Sequence, residues 1–523
     1  MPPPEAPVNQ SAGASNVPSD SADYARRVTL FLLLATGAAL RLAALASKPF
    51  WFDECFSVEV ARIDWRNFLH LLWWREANMT LYYLLLRVWL HFGKSEFFIR
   101  SLSVVFSVAT IPAIYWLARL FYNRQVALIA ASLFTFNAYS VRYAQEARSY
   151  ALFLLLATLS SGFLIAWLRE PGRRNWLGYI LSCILAVYAH LYALLLVVAQ
   201  WLVLSRLGEP DLGANGDRVD ASAQMRRAWK TIGIAVLPLI IFVVKTGAGP
   251  IRWIHRPSFH ALFEFFEHLA GSDSWPLVAL YVVACMVAVA PAGRKLCAPD
   301  QRWETWRIQF LLVWLMFPVG LTVLLSFARP VFLGRYMIFC LPPLVLLAAA
   351  GLARLRKSWM LAAALTILLF LSLRGVFFVY GHDFDDERDG SGAASNFILD
   401  HTEAGDGAIF HIAEARVPYE FFRSVRAAEN SASPTFAREL GPEILFPRHG
   451  AGLDYRDFAG KPTGDFLRTV GATRPRVWVL LIDNGPPGDP DPTTVFLTQT
   501  LPQSFPKMQR WQFPRVEVRL YSR

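Results

Sequence analysis

The chain has 523 residues, of which 55% are hydrophobic and 17% are charged, and its formal net charge is +11. The apolar residues fall in long blocks, which excludes a single soluble domain and indicates a polytopic membrane domain followed in the chain by a further domain. The basic residues cluster at the ends of these blocks and form no continuous face, so the charge reports membrane topology rather than nucleic-acid binding. The five cysteines are scattered, which indicates neither a disulfide framework nor a zinc site.

The amino-terminal region changes character near residue 26. Residues 1–25 are rich in Pro, Ser and Ala without periodicity, which predicts a disordered cytosolic tail. The apolar stretch Val28–Ala46 follows two arginines and resembles a signal peptide, because small residues at 44 and 46 precede Ser47. Its length and the internal Arg41 favour a retained first helix instead.

Ten more apolar segments follow, and together with the first they predict about eleven transmembrane helices. If the amino terminus is cytosolic, every inside connection carries Lys or Arg, as the positive-inside rule requires. The predicted segments are 97–118, 126–141, 149–168, 176–189, 191–205, 231–246, 276–291, 308–327, 336–353 and 359–379.

The same topology places five segments outside, namely 47–96, 142–148, the turn at His190, 247–275 and 328–335. These segments combine acidic residues with arginines against the positive-inside trend. Charge that defies the trend needs another explanation, so the sequence predicts one outward-facing polar cavity.

The first outside segment begins with the adjacent acids Asp53 and Glu54 in an aromatic run, where an anion is costly to keep. Asp53 could take a proton from an acceptor hydroxyl. The structural alternative, which is the more frequent one for an isolated pair, is that Asp53 caps a helix and Glu54 pairs with an arginine. Tryptophans at 65, 73 and 74 predict that residues 51–93 run as amphipathic helices along the outer surface.

Further polar groups lie in the other outside segments. Arg142 and Glu146 are four residues apart and predict one helix-face pair, while Arg148 begins the next helix and is placed to meet an anion. Arg335 follows a glycine and could bind a phosphate bidentately. The alternative for these residues is a set of satisfied ion pairs and arginines extended to the membrane surface. His190 could contact a phosphate or an acceptor, although a bond to a nearby carbonyl is the more frequent role.

After about residue 381 the hydropathy becomes that of a globular protein, which predicts one α/β domain over 381–523. An odd number of spans places it outside the membrane. It carries no nucleotide-binding fingerprint and no nucleophile elbow, and its expected roles are acceptor handling or stabilisation of a lid. The predicted elements are an acidic segment at 383–389, a helix at 391–402 and strands at 408–412, 477–482 and 516–521.

The motifs over about residues 28–380 resemble the C-type membrane glycosyltransferases (GT-C), within them the family 39-like enzymes that include protein O-mannosyltransferases and the lipid A aminoarabinose transferase. The order and topology of the short motifs make the likeness specific. The matching elements are Trp51-Phe52-Asp53-Glu54, Leu81-Tyr82-Tyr83-Leu84-Leu85-Leu86, Tyr143-Ala144-Gln145-Glu146-Ala147-Arg148-Ser149-Tyr150 and Gly334-Arg335-Tyr336 leading to Leu341-Pro342-Pro343.

The resemblance implies a polyprenyl-phosphate sugar donor, an outward active site and a single inverting displacement. It implies that Asp53 is the catalytic base or orients the acceptor, with Glu54 in support. If the acceptor is itself a phosphate, no base is needed. Arg148 and Arg335 would hold the lipid phosphate as its charge develops. The complete set of predicted substrate-binding residues is Glu146, Arg148, Arg335, Arg142, Tyr82 and His190.

One departure from the family concerns Asn78-Met79-Thr80, which stands where relatives commonly have His-Pro-Pro. If the histidine of relatives serves donor binding or proton handling, this chain has lost or replaced it. A catalytically silent relative is therefore kept as an alternative.

The sequence as a whole predicts an all-α polytopic membrane domain and a small extracytoplasmic α/β domain in a bacterial inner or plasma membrane. The predicted activity is transfer of a sugar from polyprenyl phosphate to an envelope lipid, glycan or protein. A transporter or flippase of lipid-linked glycans is the alternative from another class, but the sequence shows neither charges deep within helices nor pseudo-repeated halves. Asp53, Glu54 and Glu146 offer hard oxygen ligands on two loops, which neither assigns nor excludes a divalent metal.

Overall fold

The computed structural model has a helical membrane domain followed by a small α/β domain, as the sequence predicts. The first helix, α1, spans Asp20–Leu42, so residues 20–25 of the predicted tail are helical. The predicted acidic segment at 383–389 lies outside the described residues. The structure describes residues 20–74, 76–210, 221–247, 254, 256–271, 274–297, 302–382, 390–412, 415–429, 441–447, 461–482 and 491–523.

Three short helices occupy the segment that the sequence predicts to be amphipathic. They are α2 (Phe52–Arg62), α3 (Trp65–Trp74) and α4 (Thr80–Trp89). α3 leaves Trp65 and Trp73 exposed, which is typical of a helix at a membrane interface. The location of this segment on the outer surface stays a prediction.

The remaining helices of the membrane domain account for all the predicted apolar segments. Among the described residues, seven helical segments are long and apolar enough to cross a membrane, and α6 and α10 are shorter apolar helices. Helix length alone therefore does not decide whether the chain crosses the membrane about eleven times. The helices are α5 Glu96–Phe121, α6 Arg124–Thr135, α7 Ala138–Ala144, α8 Tyr150–Arg169, α9 Arg173–Ala189, α10 Ala193–Leu207, α11 Ala221–Thr246, α12 Phe259–Ala270, α13 Trp275–Val289, α14 Trp303–Ser326, α15 Leu341–Leu352 and α16 Ser358–Gly381.

A polar cap divides the predicted segment 126–141 into α6 and α7. Asn137 accepts the backbone N–H of Ser140 at 2.9 Å and so starts a new helix. The Asn137 amide also donates to the carbonyl of Leu269 at 3.0 Å, next to Gly271, which ends α12 with a φ of +108°. A side chain at Gly271 would collide with Asn137, so only glycine permits this contact. The sequence does not predict α12, and this contact fixes it against α7.

The core of the membrane domain surrounds α15, whose residues are all buried. Gly351 of α15 meets α13 so closely that an added Cβ would overlap the carbonyl oxygen of Ala284. Such close helix packing is typical of small residues in membrane proteins. Because α15 continues directly from the turn that carries Arg335, its tight packing fixes the position of that arginine.

The α/β domain is built on a five-stranded mixed sheet with the strand order β2-β1-β3-β5-β4. β1 pairs in parallel with β2 and β3, while β5 is antiparallel to β3 and β4. The three predicted strands are confirmed as β1, β3 and β5. The sequence misses β2, which has only four residues, and β4, which is largely polar and exposed. The elements are α17 Ser391–His401, β1 Gly407–His411, α18 Arg416–Glu429, β2 Glu443–Phe446, α19 Gly464–Thr473, β3 Arg476–Ile482, α20 Pro492–Thr500, β4 Lys507–Phe513 and β5 Val516–Ser522.

The α/β domain packs on the segment that contains the predicted catalytic acids. The rings of Phe50 and Phe421 are stacked with their centroids 5.2 Å apart. Arg62 of α2 lies over the Phe421 ring at 5.5 Å. α18 therefore lies against α2, which places the α/β domain on the same face of the membrane domain as Asp53.

Candidate active site

The carboxylate of Asp53 lies between two arginines from distant parts of the chain. Asp53 is in the first turn of α2, and its Oδ2 is 3.4 Å from Nη2 of Arg148 and 3.8 Å from Nη2 of Arg335. Both contacts are ion pairs longer than a normal hydrogen bond. Oδ2 accepts no hydrogen bond from any described residue. The structure thus brings together three residues that the sequence assigns to one cavity.

Arg148 is held next to Asp53 by the segment between α7 and α8. Its Nη1 is 3.3 Å from Oγ of Ser57 and 3.4 Å from the carbonyl oxygen of Asp53. Its own carbonyl accepts a hydrogen bond from Ser103 at 3.3 Å. Although burial opposes its charge, the carboxylate of Asp53 raises the pKa of Arg148 well above the ordinary value. The site therefore contains a permanent, buried cation.

Arg335 enters the site from a short 3-10 helix, Gly334–Cys340, that leads into α15. The hydroxyl of Tyr139 fixes this turn by donating to the carbonyl of Gly334 at 2.8 Å. The guanidinium carbon lies 5.7 Å from the centroid of the Trp51 ring, a cation–π distance. Since Arg335 is only 8% exposed, the structure does not support the alternative of an arginine extended to the membrane surface.

Glu54 makes a separate set of contacts. Its Oε1 accepts hydrogen bonds from Nε of Arg100 at 2.7 Å and from the backbone N–H of Ala147 at 3.0 Å. Its Oε2 accepts a hydrogen bond from Nη2 of Arg100 at 2.7 Å. Glu54 and Arg100 are both buried. This is the structural alternative that the sequence left open for Glu54. Two bonded oxygens fit a positioning residue better than a proton acceptor, so a direct catalytic contact is not favoured by the geometry.

Arg142 and Glu146 form the ion pair that their spacing predicts. Nη1 of Arg142 is 2.7 Å from Oε1 of Glu146, and both side chains are buried. The pair spans the end of α7 rather than the face of one helix, because α7 ends at Ala144. A substrate contact from either residue stays a prediction.

The two adjacent tyrosines of α4 both lie within electrostatic reach of Arg148 but differ in their hydrogen bonds. The hydroxyl of Tyr82 is 3.0 Å from Oγ of Ser103. The hydroxyl of Tyr83 is buried without a hydrogen-bond partner among the described residues. Burial and the negative charge of Glu76 raise the pKa of Tyr83 well above its ordinary value. The substrate contact by Tyr82 stays a prediction, and Tyr83 is a second candidate because its hydroxyl has no hydrogen-bond partner among the described residues.

His190 is fully buried in an aromatic cluster next to Arg335. Its ring is stacked on Phe153 at 5.1 Å and lies edge-on to Tyr336 at 4.7 Å. Nδ1 of His190 accepts the backbone N–H of Tyr192 at 3.3 Å, and no described residue is bonded to Nε2. The sequence favours a hydrogen bond from His190 to a nearby carbonyl. The structure instead shows a hydrogen bond from a backbone N–H to the ring.

Several residues of the site are absent from the prediction. Tyr83 and Tyr150 lie within the quoted motifs, and each has a buried hydroxyl without a partner among the described residues. Glu76 lies near enough to act on the pKa of Arg148, and no local sequence signal distinguishes it from other surface acids. Arg100 sits at the start of an apolar helix, where only the fold reveals its partner Glu54. The described residues contain no group of three or more His, Cys, Asp or Glu side chains placed to hold a metal ion.

No protein-family model and no curated protein matches this sequence. Among solved structures, ArnT from Cupriavidus metallidurans in the apo state superposes with a TM-score of 0.57 at 12% identity, covering 96% of this chain and 98% of that one. The same protein bound to undecaprenyl phosphate gives a TM-score of 0.52 at 12% identity over 94% and 97% of the chains. The archaeal oligosaccharyltransferase AglB from Archaeoglobus fulgidus, in complex with an inhibitory peptide and a dolichol-phosphate, gives 0.53 at 9% identity over 88% and 70%.

These similarities confirm the fold that the motifs indicate. The chain is an integral membrane protein with the fold of the C-type membrane glycosyltransferases, in which a helical membrane domain precedes a small α/β domain. At such low identity the likeness establishes the fold alone, so the activity has to be argued from the side chains of the site.

Proposed function

We propose that this protein is an inverting glycosyltransferase that moves a sugar from a polyprenyl-phosphate donor to an envelope acceptor. The observation that carries the proposal is the position of Asp53 between Arg148 and Arg335, a carboxylate beside two buried guanidinium groups. Structural neighbours of this fold were solved with undecaprenyl phosphate and with dolichol-phosphate, which supports a polyprenyl phosphate as the donor class.

The two arginines would hold the phosphate of the donor. Guanidinium groups bind phosphate oxygens bidentately, and their charge stabilises the phosphate as it leaves with the electron pair of the breaking bond. The contacts of Asp53 to the two arginines, at 3.4 and 3.8 Å, are longer than hydrogen bonds. A phosphate bound to both guanidinium groups would therefore replace Asp53 as their partner. The carboxylate then becomes available to an acceptor.

Asp53 would act on the acceptor. As the acceptor oxygen forms its bond to the anomeric carbon, the bond from that carbon to the phosphate oxygen breaks on the opposite face, and Asp53 takes the proton of the acceptor hydroxyl. The products are the glycosylated acceptor with inverted configuration and polyprenyl phosphate. For an acceptor phosphate, which has no proton to lose, Asp53 orients the acceptor.

The reaction would take place on the extracytoplasmic face of a bacterial inner or plasma membrane, with the amino terminus in the cytosol. Basic residues in all predicted inside connections support this orientation. The contact between α2 and α18 supports a position of the α/β domain on the same side of the membrane as Asp53. The acceptor is an envelope lipid, glycan or protein.

Release of polyprenyl phosphate from a polyprenyl-phosphate sugar tests the proposal. Purified protein in detergent is expected to release it only when an acceptor is supplied, and Asp53→Asn is expected to lower turnover by about 10²–10⁴-fold. Asn keeps the size of the side chain but cannot take the proton. Unchanged turnover in this variant removes Asp53 from the chemistry. A flippase would instead move labelled glycolipid across vesicles without cleaving it, and a silent relative would do neither.

A further inference from the structure

The tripeptide that departs from the family, Asn78-Met79-Thr80, has a partner outside its own segment. Oδ1 of Asn78 accepts the backbone N–H of Leu191 at 2.9 Å. Leu191 follows His190 directly, in the turn between α9 and α10. The two segments are 113 residues apart in the sequence, so the bond ties the loop before α4 to the histidine turn.

The conformation of this turn determines which nitrogen of His190 carries the proton. Because Nδ1 accepts the N–H of Tyr192 at 3.3 Å, a neutral imidazole must carry its proton on Nε2. Burial together with the charges of Arg148 and Arg335 lowers the pKa of His190 to about 3, so the ring is neutral at ordinary pH. Nε2–H is then a donor with no acceptor among the described residues.

The surroundings of His190 leave the ring little freedom to turn. Phe153 is parallel to it with an interplanar angle of 9°, and the rings of Tyr192 and Tyr336 meet it edge-on at 5.4 and 4.7 Å. Tyr336 follows Arg335, so the imidazole is next to the arginine pair that surrounds Asp53. A buried N–H without an acceptor is costly, and a bound anion beside these arginines would satisfy it.

We propose that His190 donates its Nε2–H to the phosphate of the donor as a third, uncharged contact beside Arg148 and Arg335, and that Asn78 is the positioning residue that holds the histidine turn in place. The inference rests on the proposed function, because it assigns a further contact within the same site. It also gives the departure at residue 78 a role, since the asparagine acts through another side chain and need not touch the substrate.

The experiment measures binding of farnesyl phosphate, a short polyprenyl phosphate, to the full-length protein in detergent, together with KM and kcat for donor cleavage. His190→Ala is expected to weaken farnesyl phosphate binding and to raise the donor KM by about 10- to 100-fold, as for loss of a hydrogen bond to a charged group. His190→Gln retains an N–H donor and is expected to recover most of the loss. Asn78→Ala is expected to raise the donor KM by about 10-fold.

The double variant separates positioning from general damage. If Asn78 acts through His190, Asn78→Ala adds nothing to the KM of His190→Ala, whereas independent contributions multiply. Asn67→Ala serves as the matched control and is expected to leave KM unchanged, because Asn67 is a half-buried asparagine of the same outer segment that is bonded to Asp64. The melting temperature of each variant shows whether it is folded, and His190→Gln keeps the test decisive if Asn78→Ala does not fold.

Two results overturn the inference alone, namely wild-type binding in His190→Ala, or multiplied KM effects in the double variant while the wild type is active. Failure of the wild type both to bind farnesyl phosphate and to cleave a donor overturns the proposed function as well. The two failures are therefore distinguishable in one series.

Discussion

Glu54 and Arg100 form a buried bidentate ion pair that joins the start of α2 to α5. Both bonds are 2.7 Å long, and a third bond runs from the N–H of Ala147 to Glu54. Since Asp53 and Arg148 are the sequence neighbours of Glu54 and Ala147, this pair sets the distance between the two functional groups. The stability of the fold and the geometry of the site are thus linked at one contact.

Removing one partner of this pair is expected to destabilise the protein strongly. Glu54→Gln or Arg100→Met leaves a buried charge without its counter-charge, at a cost of about 3–5 kcal/mol. The double variant Glu54→Leu/Arg100→Met buries no charge and is expected to be more stable than either single variant. Melting temperatures in detergent measure the effect. Single variants that melt like the wild type would show that the pair contributes nothing.

Shortening Arg335 is expected to weaken donor binding with little effect on stability. Arg335→Lys keeps the positive charge but loses the planar fork that binds phosphate oxygens, so the donor KM should rise by about 10-fold, and further in Arg335→Ala. Arg329→Ala is the matched control, because Arg329 is an exposed arginine of the same segment. Equal KM values in both alanine variants would assign the phosphate to other residues.

The two tyrosines of α4 are expected to respond differently to loss of a hydroxyl. Tyr82→Phe removes the contact to Ser103 and should lower stability by about 1 kcal/mol while turnover changes less than about twofold. Tyr83→Phe removes a hydroxyl that has no partner among the described residues, so it should spare stability and lower donor cleavage by about 10-fold. The measurements are the melting temperature and kcat/KM of both variants, and the reverse pattern would support Tyr82 as the substrate contact.

The contact between α2 and α18 is expected to depend on pH through Glu59. Burial and the charge of Glu420 raise the pKa of Glu59 from 4.5 to about 6, although Arg62 opposes the shift. A raised carboxyl pKa means that the folded protein binds the proton more tightly. Stability should therefore fall as the pH rises from 4.5 to about 6, by at most about 2 kcal/mol.

Melting temperatures between pH 4 and 7.5 measure this dependence. Glu59→Gln should flatten the profile and raise the melting temperature at pH 7, because its amide carries no charge. Glu420→Gln should keep the transition but move its midpoint to lower pH. An identical slope in the wild type and Glu59→Gln would locate the titrating group elsewhere.

The sequence by itself determined the membrane character, the positions of the long apolar helices and the grouping of Asp53, Arg148 and Arg335. Hydropathy along one helix is a local property, and the positive-inside rule converts it into sides of the membrane, so residues of different loops are assigned to one face. The elements that the sequence did not predict also have local explanations. α12 is a short amphipathic helix between spans, and β4 lacks the apolar alternation of a strand.

Only the tertiary structure decided which side chains meet. Glu54 finds Arg100 at a separation of 46 residues, and Asn78 finds Leu191 at a separation of 113. The rotation of α4 in the core decides that the hydroxyl of Tyr82 meets Ser103 while that of Tyr83 has no partner among the described residues. Such pairings arise from the packing of complete helices against one another, and the free energy that selects them belongs to the whole core rather than to any single segment.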